Sequence, residues 1–226
     1  MIKMLLTIPG ILDQSGLTRI NELLDRGQFK DGKLTAGWHA KLVKNNTQLT
    51  GRDTTAKQAT AILTNALQRN AIFARATLLR RMRPLLFSRY EPGMEYGNHV
   101  DDAIMGSDRG FRTDISFTVF LNDPDSYEGG ELVMDSSVGE QKFKLPAGSA
   151  VVYPSTTLHR VAPVTKGVRQ VAVSWVQSLV RSADQREIIY DIDQTRRTLF
   201  EQNGKSREFD LLTKTHANLL RLWSEP

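Results

Sequence analysis

The sequence predicts an α+β fold in which a jelly-roll type β core is covered by helices that come earlier in the chain. Short β-rich runs separated by Pro, Gly and Asp turns fill residues 71–177, and this spacing is typical of a sandwich or barrel. Apolar residues recur at helical spacing before this region and again after residue 178. A chain of 226 residues can form one sizeable domain with a short appendage. We therefore expect a domain at 1–180, with packing helices within 1–70 and the core at about 71–180, and a helical appendage at 181–226.

The N-terminal part is predicted to provide the packing helices. A short strand at 1–8 is followed by a helix at 13–27, which Gly27 ends, and a second helix covers 54–70. Between the helices, alternation over 37–46 predicts a strand that ends at a pair of asparagines. The side chains expected to face the core are Leu17, Ile20, Leu23 and Leu24 on the first helix and Ala59, Ile62, Leu63, Ala66 and Leu67 on the second.

The β core is expected to consist of short strands between turn residues. The Gly129-Gly130 pair is typical of a turn that requires positive φ. The predicted strands are 71–79, 85–90, 114–121, 131–134, 141–145, 150–153 and 169–176.

The last segment returns to helical periodicity. Ser182 and Gln185 have the spacing of a capping box, and an apolar stripe of Ile188, Ile192 and Leu199 follows. A final helix at about 209–223 places one apolar face on Leu212, His216, Leu219, Leu220 and Trp223. We expect these helices to pack on the core or to pair two subunits in a homo-oligomer.

Composition limits the chemistry available to this chain. Cysteine is absent, which excludes disulfides, iron–sulfur clusters and thiolate-bound zinc. Any imidazole ligand must come from the four histidines, and we expect His39 and His216 to be structural rather than ligating.

Charge and hydropathy favour a cytoplasmic protein. Residues 1–89 hold 15 basic and 5 acidic residues, yet no basic run with interleaved aromatics occurs, so a solvated helix face is favoured over nucleic-acid binding. The N-terminus lacks the features of a secretory signal, and no apolar stretch approaches the ~20 residues needed to cross a bilayer. We therefore expect no membrane partner.

The candidate metal ligands are His99, Asp101 and His159. Positions i and i+2 of a strand project to the same face, so His99 and Asp101 are expected to converge. His159 follows a second β-type run, 58 positions after Asp101, a distance that suits a strand crossing back beside the first. Two imidazoles and one carboxylate form the facial triad of non-haem Fe(II) oxygenases, which leaves positions open for cosubstrate and oxygen.

Arg169 is the candidate anchor for a cosubstrate. It opens a predicted strand ten positions after His159, and a guanidinium in a β-lined pocket can bind a carboxylate with two parallel hydrogen bonds. A dicarboxylate such as 2-oxoglutarate would chelate iron at one end and meet Arg169 at the other. Trp175 shares a strand face with Arg169 and is expected to wall the same pocket.

At this point the chain resembles the bacterial prolyl/lysyl-hydroxylase-type (PKHD-type) Fe(II)/2-oxoglutarate dioxygenases linked to iron uptake. The resemblance extends over most of the chain. It is carried by Lys44-Asn45-Asn46-x-Gln48-Leu49, Tyr96-Gly97-x-His99-Val100-Asp101, Gly129-Gly130-Glu131-Leu132, Tyr153-Pro154-Ser155, Leu158-His159-x-Val161 and Pro163-Val164-x-x-Gly167-x-Arg169.

The resemblance implies a fold, a site and cofactors. The fold would be a double-stranded β-helix, with iron on His99, Asp101 and His159 and 2-oxoglutarate on Arg169. Tyr90 resembles the family tyrosine that contacts 2-oxoglutarate. The family also uses ascorbate as a reductant for oxidised iron.

The leading hypothesis is a hydroxylase that couples substrate oxidation to decarboxylation of 2-oxoglutarate, yielding succinate and carbon dioxide. A nucleobase demethylase of the same superfamily is an alternative. The pattern of those enzymes has a second arginine at the position where this chain has Trp175. A non-catalytic iron-binding or sensing module is the other alternative. The prime substrate, a protein side chain or a small molecule, is not encoded in any motif.

Overall fold

The α-helices lie toward the two ends of the chain, with the strands mostly between them. A computed structural model describes residues 4–49, 53–106, 110–137 and 139–225. The first three residues of the predicted strand at 1–8 therefore lie outside the described residues. The helices are α1 (Gln14–Asp25), α2 (Thr54–Arg69), α3 (Ala71–Thr77), α4 (Ala183–Asn203) and α5 (Arg207–Trp223), with 3-10 turns at Gly32–Thr35, Ala40–Leu42 and Pro124–Ser126.

The strands are short, apart from the one that carries Arg169. They are β1 (Leu6–Ile8), β2 (Lys30–Asp31), β3 (Lys44–Asn45), β4 (Thr47–Leu49), β5 (Leu79–Met82), β6 (Leu86–Tyr90), β7 (Glu95–His99), β8 (Ile104–Met105), β9 (Phe111–Arg112), β10 (Ile115–Phe120), β11 (Tyr127–Gly129), β12 (Leu132–Met134), β13 (Gln141–Phe143), β14 (Ala150–Pro154), β15 (His159–Val161), β16 (Val164–Gly167) and β17 (Arg169–Ser178).

Two antiparallel sheets form the body of the molecule. The major sheet has the order β1-β14-β10-β17-β6-β4-β2, with β5 also paired to β17, and the minor sheet has the order β13-β12-β15-β7-β3. Sequence neighbours are often not sheet neighbours, which is typical of the jelly roll. The predicted α+β fold with a double-stranded β-helix core is confirmed.

The two faces of the major sheet have different partners. Along β10, Phe117 and Val119 belong to the apolar core shared with the N-terminal helices, whereas Phe120 packs in a second core between the sheets. Successive side chains of a strand alternate between faces, so Ser116 and Thr118 face the same side as Phe120. The sheet is thus covered by helices outside and lines the site inside.

The N-terminal helices match their predictions closely. Asp13 caps α1 by accepting a hydrogen bond from the Gly16 amide, and the four leucine and isoleucine side chains expected to face inward are buried. Asp53 caps α2, on which Ala59, Leu63 and Leu67 are buried while Ile62 and Ala66 are partly buried against the same core.

Two predicted strands were wrong. The run at 71–79 is the helix α3, because Asn70 caps it at the Phe73 amide and alanine is a strong helix former. Leu78 then takes a left-handed conformation that ends the helix, and strand β5 follows. The run at 37–46 contains a 3-10 turn at Ala40–Leu42, and only Lys44–Asn45 pairs as a strand.

The predicted glycine turn is confirmed. Gly129 and Gly130 both have positive φ, and a Cβ on Gly129 would lie 2.1 Å from the carbonyl oxygen of Pro163. A larger residue at Gly129 would therefore clash with the backbone that leads into β16.

The C-terminal helices pack on each other, and α4 also packs on α3. Ser182 caps α4 at the Gln185 amide, as its spacing predicted. The predicted stripe on α4 was wrong at Ile188, which is exposed, because the buried face runs through Arg186, Ile189 and Asp193. On α5 the residues predicted to share a face are half-buried.

Within the described ranges, none of the helices has the length and apolar character needed to cross a membrane.

Candidate metal centre

A cavity of about 490 Å³ opens between the two sheets. This volume lies within the range typical of small-molecule sites. It is lined by every residue that the sequence singled out for chemistry: Tyr90, His99, Asp101, His159, Arg169 and Trp175.

The minor sheet brings the two histidines together. His99 is the last residue of β7 and His159 the first of β15, and the two are register partners across these antiparallel strands. Asp101 lies two residues beyond the end of β7, outside the strand in which it was expected. The ligand atoms of the three residues all lie within 4.8 Å of one another.

Backbone carbonyls fix the tautomer of both imidazoles. The Nδ1 of His99 lies 2.8 Å from the Gly97 carbonyl oxygen, and the Nδ1 of His159 lies 2.9 Å from that of Thr157. A carbonyl only accepts, so each Nδ1 must carry the proton. Both Nε2 lone pairs are therefore free to bind a metal ion.

A serine holds the carboxylate. Ser116 Oγ donates to Asp101 Oδ2 at 2.6 Å and lies 2.8 Å from Ser155 Oγ. The ionised carboxylate cannot donate, so the Ser116 proton points at Asp101 and Ser155 donates to Ser116. The other carboxylate oxygen of Asp101 has no hydrogen bond to any residue for which the structure gives contacts and can serve as a ligand.

Burial keeps His99 neutral. The imidazole is buried, and Tyr96 stacks on it with ring centroids 3.6 Å apart. Burial is the main reason why the pKa of His99 lies well below its ordinary value. Repulsion from a protonated His159 is the second reason. A neutral imidazole is the form that binds a metal.

Arg169 is a buried cation without an anionic partner among the described residues. It is 1% exposed and has no carboxylate within ion-pair distance among the described residues. Its Nε and Nη1 have no hydrogen-bond partner there. Because an unpaired buried charge is strongly unfavourable, this guanidinium is suited to a carboxylate that enters the cavity.

The aromatic rings of Tyr90 and Phe120 lie against this guanidinium. Tyr90 pairs with Arg169 across β6 and β17, and its ring centroid lies 5.0 Å from the guanidinium carbon. Burial raises the pKa of Tyr90 and of Tyr153, so both phenols stay protonated and can donate hydrogen bonds. Trp175 lines the cavity from the same face of β17 as Arg169.

The remaining histidines lie elsewhere. His39 is exposed and packs edge-on against Trp38, and His216 lies on α5 with its Nε2 3.8 Å from Asp193. Neither lines the cavity, as the sequence predicted.

Sequence reasoning gave no role to several other polar residues that line the cavity, among them Lys44, Tyr96, Ser116 and Tyr153. Lys44, Tyr96 and Tyr153 appeared only within quoted motifs, and Ser116 appeared in none. The alternation of β10 could have placed Ser116 on the inner face, but its contact with Asp101 depends on long-range sheet order.

Two family models match the chain. The model described as the 2OG-Fe(II) oxygenase superfamily matches residues 85–177, which contain His99, Asp101, His159 and Arg169. The model described as the PKHD-type hydroxylase C-terminal domain matches residues 184–225, which correspond to α4 and α5.

Curated relatives match along nearly the whole chain. A PKHD-type hydroxylase from Synechococcus elongatus is 55% identical over 223 residues, covering 98% of this chain and 100% of the relative. Another, from Picosynechococcus, is 55% identical over 222 residues with the same coverage.

Solved structures share the fold at low sequence identity. A Pseudomonas putida prolyl-4-hydroxylase has a TM-score of 0.55 at 20% identity, covering 78% of this chain and 94% of its own. A prolyl hydroxylase from Trichoplax adhaerens, solved with a peptide fragment of hypoxia inducible factor, has a TM-score of 0.56 at 16% identity, covering 77% and 84%.

Proposed function

Because this chain belongs to the PKHD-type hydroxylases of the 2-oxoglutarate-Fe(II) oxygenase superfamily, we propose that His99, Asp101 and His159 hold its Fe(II). The observation that carries the proposal is the convergence of two Nε2 lone pairs and one carboxylate oxygen in the cavity. Nitrogen and oxygen donors from three residues suit Fe(II) and leave coordination positions open. When bound, the iron supplies the oxidising chemistry that couples hydroxylation of a substrate C–H bond to decarboxylation of 2-oxoglutarate.

The described residues also fit the cosubstrate. Arg169 would bind the distal carboxylate of 2-oxoglutarate, since its Nε and Nη1 have no other described partner. Tyr90 would donate to the same carboxylate from the neighbouring strand. Trp175 would wall the same cavity further along β17, where it is the register partner of Ser116.

The protein contributes position and protonation state. The backbone carbonyls of Gly97 and Thr157 orient the imidazoles, and Ser116 orients the carboxylate. Hydrogen bonds of this kind to ligating groups are needed for full metal affinity.

Finer aspects of the function rest on the family resemblance and on composition. We propose ascorbate as the reductant that restores oxidised iron, a cytoplasmic location, and a role in iron homeostasis. The prime substrate is a protein side chain or a small molecule, and neither nucleic acid nor a membrane is among the proposed partners.

An anaerobic titration tests the proposal. Fe(II) and 2-oxoglutarate added to the wild-type protein should produce a visible metal-to-ligand charge-transfer band, and His159→Ala should abolish it. Arg169→Met should raise the Kd for 2-oxoglutarate by about 100-fold without loss of the metal, because a buried charge-assisted pair is removed. Arg160→Met is the matched control, since Arg160 pairs with Glu140 and does not line the cavity.

Three results would contradict the assignment. They are the absence of the band in wild type, an undiminished band in His159→Ala, and equal losses in Arg169→Met and Arg160→Met. Succinate formation in air then separates the alternatives. A non-catalytic iron-binding module would form none, and a nucleobase demethylase would form more when a methylated nucleobase is added.

A further inference from the structure

One buried cation in the cavity has no role in the site described above. Lys44 on β3 is 5% exposed and lines the cavity. No carboxylate lies within ion-pair distance of it in the part of the chain that the structure describes. The carboxylates whose charge acts on Lys44 are those of Asp101, which would bind the proposed metal, and of the exposed Asp31.

Neighbouring side chains hold the ammonium in place. Lys44 Nζ donates to Thr35 Oγ1 at 3.0 Å and to Gln48 Oε1 at 3.3 Å. It also lies 5.0 Å from the centroid of the Tyr96 ring. An ammonium has three N–H donors, so one donor of Lys44 has no acceptor among the described residues.

The hydrogen-bond network leaves a second donor in the cavity. Gln48 must turn its oxygen toward Lys44, which cannot accept, and its Nε2 therefore donates to Ser88 Oγ at 2.8 Å. Ser88 is buried and lines the cavity, and its own hydroxyl proton has no acceptor among the residues whose contacts the structure gives. The network thus leaves two donors without a described acceptor at the cavity, one N–H of Lys44 and the hydroxyl of Ser88.

The charge of Lys44 makes these donors selective for an anion. Burial lowers the pKa of Lys44 to about 8, so the ammonium stays mainly charged at neutral pH. A buried charge without a counter-ion is unfavourable, and an incoming anion would relieve that cost.

The position of Lys44 favours contact with a molecule other than the cosubstrate. Arg169 lies on the major sheet and is fully buried, whereas Lys44 lies on the edge strand of the minor sheet. Thr35, which contacts Lys44, is exposed and is followed by Ala36 and Gly37 on the cavity wall. The cavity wall beside the buried Lys44 therefore reaches the surface at Thr35, where a second molecule would enter.

We propose that Lys44 and Ser88 form a binding subsite for an anionic group, a carboxylate in the simplest case, on the prime substrate. The inference rests on the proposed function, because it assigns Arg169 to 2-oxoglutarate. It makes Lys44 a specificity-determining residue for a substrate that carries a negative charge near the C–H bond to be oxidised.

A matched pair of probes tests the subsite. N-acetylglycine and N-acetylglycinamide are similar in size and differ in charge. Their Kd values would be measured by ligand-observed NMR on the full-length protein loaded with Zn(II) and saturating 2-oxoglutarate. We expect the acid to bind wild type at least about tenfold more tightly than the amide, because only the acid forms charge-assisted hydrogen bonds.

Variants locate the effect. Lys44→Met should remove the preference for the acid and leave the Kd for 2-oxoglutarate within about twofold of wild type, and Ser88→Ala should weaken acid binding by a smaller factor of about three to five. Lys41→Met is the charge-matched control, because Lys41 is exposed and does not line the cavity.

The opposing outcomes are distinct. Equal binding of acid and amide to wild type would overturn the subsite, as would an equal loss in Lys41→Met. Weakened 2-oxoglutarate binding in Lys44→Met would assign Lys44 to the cosubstrate instead. Failure of wild type to bind 2-oxoglutarate at all would contradict the proposed function itself.

Discussion

The hydroxyl of Ser116 orients the carboxylate of Asp101, which is proposed to bind the metal. Its hydroxyl proton is donated to Asp101 Oδ2, and its oxygen accepts a hydrogen bond from Ser155. The carboxylate is therefore held in one orientation before any metal arrives. Because the carboxylate is already oriented, metal binding has a smaller entropic cost.

Removal of this hydroxyl should weaken metal binding. We expect Ser116→Ala to raise the Kd for Co(II), measured by titration of the metal-free protein, by about 10- to 100-fold. Ser174→Ala is the matched control. Ser174 is equally buried and lines the same cavity, but its hydroxyl donates to the Arg83 carbonyl oxygen. A similar loss in both variants would show that Ser116 acts only through general packing.

The same residue marks the limit of prediction from sequence. His99, Asp101, His159 and Arg169 could be selected because their types and spacings suit one chemistry. Ser116 could not, because serine occurs in many strands and its contact depends on which strand lies beside the end of β7. That order is set by pairing across the whole sheet rather than by local pattern.

At the scale of elements, the α3 segment shows where periodicity fails. The run Ala71-Ile72-Phe73-Ala74-Arg75-Ala76 is short and mostly apolar, and the sequence predicts a strand there. The cap at Asn70 and the alanines favour a helix, and burial of Phe73 and Ala76 on one face completes it. Short apolar runs are ambiguous between helix and strand, so the cap decides.

A buried carboxylate joins the helices. Asp193 on α4 is 4% exposed at its side chain, and it pairs with Arg75 of α3 at 3.5 Å and with Arg197 of its own helix at 2.8 Å. His216 of α5 lies near the same carboxylate. Asp193 thus connects α3, α4 and α5.

Neutralising this carboxylate should destabilise the protein. We expect Asp193→Asn to lower the free energy of unfolding by about 2 kcal/mol in urea denaturation, because Arg75, Arg196 and Arg197 lose the buried carboxylate that they share. Asp191→Asn is the control, since Asp191 is exposed on the same helix and forms no ion pair among the described residues. An equal change in the two variants would contradict a special role for Asp193.

The difference should depend on pH. Burial opposes ionisation of Asp193, but hydrogen bonds from Arg197 and Arg196 outweigh it and lower the pKa of this carboxyl below 3.8. A lowered pKa in the folded state contributes stability above the unfolded value, and this stability is lost as the pH falls through the folded value. The gap between wild type and Asp193→Asn should therefore be full at neutral pH and shrink as the pH falls below 3.8. A gap that is constant with pH would exclude the charge as its cause.

At the scale of the molecule, the appendage is tied to the core by polar contacts. Arg186 is buried and donates to the carbonyl oxygens of Val180 and Asp114. At the other end, Glu225 accepts from Arg112 at 2.6 Å, and its amide donates to Leu179. Both ends of the helical pair are thus anchored beside β17.

Removing residues 182–226 should therefore impair the whole protein. We expect the truncated chain to lose solubility and to unfold at a lower temperature, because the polar groups of the core that pair with Arg186 and Glu225 lose their partners. The measurements are soluble yield, thermal denaturation and solution mass of the full and truncated chains. An unchanged, fully soluble truncated chain of the same oligomeric state would contradict both packing and subunit pairing.

The global architecture was the most predictable feature and its connections the least. Helix-covered sheets follow from the order of periodicities along the chain, and the inner face follows from alternation in β10 and β17. Strand order was not readable, since β14 lies between β1 and β10 for reasons of pairing that no local pattern records.

The three tryptophans lie in three different surroundings. Trp175 lines the cavity, Trp38 is 79% exposed, and Trp223 is half-buried at the end of α5. The chain therefore contains its own fluorescent reporters. If Trp38 and Trp223 were changed to phenylalanine, the emission of Trp175 alone would follow filling of the cavity in real time, without an attached dye.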